Sequence, residues 1–114
     1  MSTPSSYRIA VIGPQDTVAG LAALGVEAFD ATTGEEVLSK LRVITQAAER
    51  GETPYAIVCI IESLAAAADP DEFNRLTREP LPAVVMLPGP EGSSGASIAR
   101  LRRLAEQAIG SAII

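Results

Sequence analysis

The chain has no histidine, no tryptophan, one cysteine and one lysine, and aromatic residues fill only 4% of its 114 positions. Each shortage removes a class of chemistry. Without histidine there is no imidazole to act as a general base or as a metal ligand. The single cysteine, Cys59, supports no disulfide framework, and its place inside the apolar run AIVCII makes it a small buried hydrophobe. The lone lysine, Lys40, stands on a helix flank and not behind a glycine loop. No apolar run approaches the roughly 20 residues that span a bilayer. The opening MSTPSSY lacks the basic region and apolar stretch of a signal peptide, so residues 1–6 read as a disordered tail. Net charge is −5, the opposite of a nucleic-acid binder's balance. The expectation is a cytoplasmic protein with no nucleic-acid partner and no direct membrane insertion.

What is present is ordinary for a soluble globule: 47% hydrophobic and 20% charged residues, enough for one domain over 7–114 and no second core. YRIAVIG, residues 7–13, is an Ile- and Val-rich run closed by Gly13, the pattern of a strand covered on both faces. DTVAGLAALG, 16–25, reads as a helix capped by Asp16 and ended by Gly25 in the left-handed conformation. Gly20 within it costs about 1 kcal/mol relative to alanine, which predicts a close packing contact there. VEAFDA, 26–31, is a short second strand whose alternation leaves its buried face open.

TGEE, 33–36, is a capping box in which the Thr33 hydroxyl accepts from Glu36 N–H and the Glu36 carboxylate reaches back to Thr33. Val37, Leu38, Leu41, Ile44 and Ala48 follow at helical spacing, and Arg50-Gly51 stops the helix. YAIVCII, 55–61, is a third strand and PAVVMLP, 82–88, a fourth. Between them, Pro70 splits a helical stretch in two. ASIARLRRLAEQAI, 96–109, is a last helix, followed by the apolar tail SAII. Strands spaced by helices give an α/β three-layer sandwich, Rossmann- or receiver-like, with a four-stranded parallel sheet in the order 2-1-3-4.

Ligands of such sheets sit beyond the carboxyl ends of the strands. Here that edge carries Gly13, Pro14, Gln15, Asp16, Glu62, Ser63, Pro88, Gly89 and the loop GPEGSSG. The loop offers a helix N-terminus to an anion. Yet a P-loop needs Lys and Ser/Thr after its last glycine, and Gly95 is followed by Ala96 and Ser97. A phosphoacceptor receiver needs an acidic pair after strand 1, an aspartate after strand 3 and a lysine after strand 5. Gln15, Asp16 and Glu62 stand at the first two places, with no fifth strand and no lysine. Asp16 and Glu62 as an acid–base pair are less economical than two carboxylates that satisfy helix N-termini. No metal-ligand cluster or cofactor motif is present. A partner surface remains: Ser93, Ser94, Arg100 and Arg103 by the last helix, and Ile113 and Ile114 in the tail.

Four stretches in this order, IAVIGPQDTVAGLAALGV, AIVCIIESLA, PAVVMLPGPEGSSG and AIGSAII, resemble the F subunit of the archaeal/vacuolar-type (A/V-type) rotary ATPases, called the G subunit in some bacterial sodium enzymes. Gly13, Asp16, Thr17, Val18, Gly25, Val26, Glu62, Pro88, Gly92 and Gly95 match the family pattern. Pro14, Leu21, Ala22 and Ile61 depart from it, where Asp, Phe, Arg and Thr are usual. The resemblance implies a non-catalytic subunit of the rotating central stalk that binds the coiled-coil D subunit. It also implies a setting beside the membrane-proximal stalk subunit and the catalytic head, no cofactor, and a peripheral position in the soluble ATPase sector. On this reading the 87–101 stretch is a docking and turn element and not a phosphate cradle. The alternatives are a receiver-like or small-ligand signalling domain without phosphoacceptor chemistry, and a free-standing scaffold.

Overall fold

The computed structural model of the chain describes residues 7–89. The order is β1 (Arg8–Gly13), α1 (Gln15–Ala22), β2 (Glu27–Asp30), α2 (Gly34–Thr45), a 3₁₀ turn (Ala48–Arg50), β3 (Tyr55–Ile61), α3 (Glu62–Ala67), α4 (Pro70–Leu76) and β4 (Ala83–Leu87). The four strands form one parallel sheet in the order β2-β1-β3-β4, as the alternating pattern predicts. The amino-terminal tail, the 96–109 helix and SAII lie outside the described residues.

Strand β1 is the centre of the sheet, and its side chains alternate between two apolar clusters. Ile9 and Val11 join Val18 and Leu21 of α1 on one face, with Cys59 and Ile61 of β3. Ala10 and Ile12 meet Val37, Leu41 and Ile44 of α2 on the other, with Val58 and Ile60. Helices α3 and α4 extend that second layer through Leu64, Ala65, Phe73 and Leu76. Val11, Ile12, Leu41 and Ile60 have no solvent exposure. Removing such a side chain to alanine costs about 2–5 kcal/mol, lost transfer energy plus the cavity left behind.

The pairing of β1 with β3 is irregular at its start: Arg8 faces Tyr55 and Ile9 faces Ile57, so Ala56 is skipped. This bulge turns Tyr55 onto the α2 face, out of step with Ile57 and Cys59. There its ring meets Phe29 edge-on, with centroids 6.2 Å apart. Phe29 settles the open question about β2: Phe29 and Ala31 face α2, while Val26 packs on the α1 side.

Several local expectations change. Helix α1 begins at Gln15, its N-cap is Pro14, and Asp16 sits in the first turn without capping a backbone N–H. Proline supplies no side-chain acceptor, so the turn closes through the Pro14 carbonyl, which accepts from Thr17 and Val18. Gly25 does take the left-handed conformation, at φ +86°, and its N–H bonds the Ala22 carbonyl. The contact expected at Gly20 is absent: among the described residues a Cβ there would meet nothing within 4 Å. In the capping box Thr33 Oγ1 accepts from Glu36 N–H at 3.1 Å as expected. The Glu36 carboxylate, however, is held mainly by Thr32, accepting from its N–H at 2.7 Å and its hydroxyl at 2.9 Å, with the Thr33 N–H a weaker contributor. Helix α2 stops at Thr45, and the tighter 3₁₀ turn brings Ala47 inward, leaving Ala48 exposed. Asp69 caps α4 through Glu72 N–H, with Pro70 in its first turn.

Candidate functional site

The carboxyl edge of the sheet gathers several of the residues that the sequence points to. Gly13 ends β1 where a Cβ would stand 2.6 Å from Ile61 Cγ1 and 3.1 Å from Val18 Cγ1. The missing side chain lets β1, the end of β3 and the start of α1 converge. In the order 2-1-3-4 the chain reverses direction between β1 and β3, the place where open α/β sheets hold ligands. Here that point is closed by Gly13, Val18 and Ile61 packed together. Glu62 begins α3 directly beyond it and is exposed, as is the neighbouring Ser63. Pro88 follows β4 at the same edge.

Among the described residues, open space at this edge lies to one side, between the amino end of α1 and the carboxyl end of β2. It is a shallow cleft of about 570 Å³, lined by Pro14, Gln15, Asp16, Ala19, Asp30 and Thr32. The parallel register sets Gly13 beside Asp30, and Ala31 N–H bonds the Gly13 carbonyl at 2.9 Å, which fixes the cleft floor. Asp16 therefore shares the cleft wall with Asp30 and not with Glu62. Thr17, half-buried, lies one residue further along α1. Gly25 belongs to the opposite edge, at the far end of α1. Gly92, Gly95, Ser93, Ser94, Arg100, Arg103, Ile113 and Ile114 lie outside the described residues.

The opposite, amino-terminal edge carries a cluster that the sequence pattern does not single out. Arg8 donates through Nη1 to Glu27, through Nη2 to Glu52 at 3.3 Å and through Nε to the Thr53 carbonyl at 2.8 Å. Its guanidinium also lies over the Tyr55 ring, 4.1 Å from the centroid. Tyr55 donates its hydroxyl to Glu27 Oε1 at 2.9 Å. Burial, and then that carboxylate acceptor, push the phenol up to about 12. Arg50 donates to both oxygens of Glu52 and to the Val43 carbonyl. The hydrogen bonds from Arg50, and then those from Arg8, hold the Glu52 carboxyl below its usual value. The sequence signal for this cluster is faint, because it depends on the bulge at Ala56, which no local pattern announces.

Burial pushes the Cys59 thiol up to about 12, the reverse of an activated thiolate. Among the described residues no set of three His, Cys, Asp or Glu side chains can hold a metal ion. No helix among them is long and apolar enough to cross a membrane. A closed switch point between two apolar layers defines a small doubly wound α/β domain.

Similarity to known proteins makes the assignment specific. The family model for the ATP synthase (F/14-kDa) subunit matches residues 9–104, and the chain belongs to this family, an accessory component and not the catalytic one. It is 32% identical over 108 residues to the F subunit of the V-type ATP synthase of Fusobacterium nucleatum, covering 95% of this chain and 96% of that one. The corresponding F subunit of Clostridium perfringens is 28% identical over 103 residues, covering 90% and 91%. The crystal structure of the V-type ATP synthase F subunit from Archaeoglobus fulgidus has the same fold. Its TM-score is 0.55, over 72% of this chain and 98% of that chain, at 17% identity. These relatives carry the designation F and not G.

Proposed function

We propose that the chain is a non-catalytic rotor component of the central stalk of a V-type ATPase, binding the coiled-coil D subunit and helping to couple ATP turnover to proton or sodium transport. The observation that carries this reading is the end-to-end match to a V-type ATP synthase F subunit, 95% of this chain against 96% of its relative. The described part of the molecule suits such a role. Two apolar layers clamp the sheet from both faces, and the ligand position of the fold is occupied by its own side chains. On this reading Ser93, Ser94, Arg100, Arg103, Ile113 and Ile114 contact the partner, and Gly92 and Gly95 shape the loop before the last helix. The membrane-proximal stalk subunit and the catalytic head are further neighbours, and the protein is cytoplasmic and peripheral to the membrane.

Co-expression with the cognate D subunit tests the proposal. A stoichiometric complex through size exclusion, with a measurable heat of binding between the purified partners, is the expected result. Separate elution with no heat at tens of micromolar of each protein overturns it.

A further inference from the structure

We draw no further inference here: the strongest candidate, the shallow cleft between the amino end of α1 and the carboxyl end of β2, rests on the exposed acidic pair Asp16 and Asp30, and nothing in the structure shows what covers it.

Discussion

A Cβ placed on Gly34 would stand 2.3 Å from the carbonyl oxygen of Ala67 and 2.7 Å from the Cα of Ala68. The first turn of α2 is thus pressed against the backbone that ends α3, and backbone atoms cannot rotate out of the way as a side chain does. Gly34→Ala gains helix propensity of up to about 1 kcal/mol. It loses more to overpacking, which costs about 1–3 kcal/mol. The expected outcome is a lower urea midpoint with an unchanged slope. A midpoint equal to the parent's would mean that the end of α3 shifts without cost.

Gly20 is the converse case. It sits inside α1, in helical conformation, with open space among the described residues where a side chain would go. Gly20→Ala is expected to stabilise the chain by about 0.5–1 kcal/mol, by restricting the unfolded backbone. Thermal unfolding of the two proteins side by side measures this. A drop in stability would reveal a packed neighbour on the outer flank of α1.

The Tyr55 phenol gives a signed prediction at alkaline pH. Its folded value, about 12, lies above the ordinary tyrosine value of 10.0. Below about pH 10 the phenol is protonated in both states, and its contribution to stability is constant. Between about 10 and 12 the unfolded chain releases the proton first, so stability falls as pH rises through that window. Tyr55→Phe loses the bond to Glu27 and is less stable at neutral pH, and the gap to the parent narrows across the window. A gap that stays constant to about pH 12 would contradict the burial argument.

Cys59 has no exposed surface and lies at the centre of β3. A thiol reagent should therefore modify it only when the strand opens, and not through native-state collisions. The expected labelling rate rises with denaturant in step with the opening equilibrium. Rapid stoichiometric labelling in native buffer would refute it.

The proposed grip on the D subunit separates two contributions. Exposed arginine pairs are worth about 0–1 kcal/mol each. Full burial of an isoleucine side chain contributes roughly 1.5–3 kcal/mol. Deleting residues 111–114, which removes Ile113 and Ile114, is expected to weaken binding more than Arg100→Ala combined with Arg103→Ala. Calorimetry against the purified D subunit ranks the two variants. Full affinity in the deletion variant would move the grip away from the tail.

The centre of the sheet is legible in the sequence because its two inner strands are buried on both faces: a run such as YAIVCII has no polar position to confuse the reading, and β3 spans those residues. Chain order plus right-handed crossovers then leave little choice of topology. Sequence and structure part where one atom's position decides. Asp16 has the side chain of an N-cap, but Pro14 starts the helix two residues earlier. Glu36 has the spacing of a capping box, yet its carboxylate prefers Thr32, where the N–H and the hydroxyl converge on one oxygen. Gly20 and Gly34 look alike in sequence, and only the approach of α3 distinguishes them. The carboxyl edge follows from strand order alone, but that its switch point is closed depends on the packing of Val18 and Ile61 around Gly13.

Strand β1 is held by parallel ladders on both sides, to β2 and to β3. A pull along its axis loads the rungs of both ladders together, in shear, so that no rung yields before its neighbours. A pull across the sheet at β2 acts differently, because it peels that ladder rung by rung. There the paired residues number only four, from Ala10↔Glu27 to Gly13↔Asp30. Force applied to this molecule therefore meets a stiff direction along the inner strand β1 and a more compliant margin at β2.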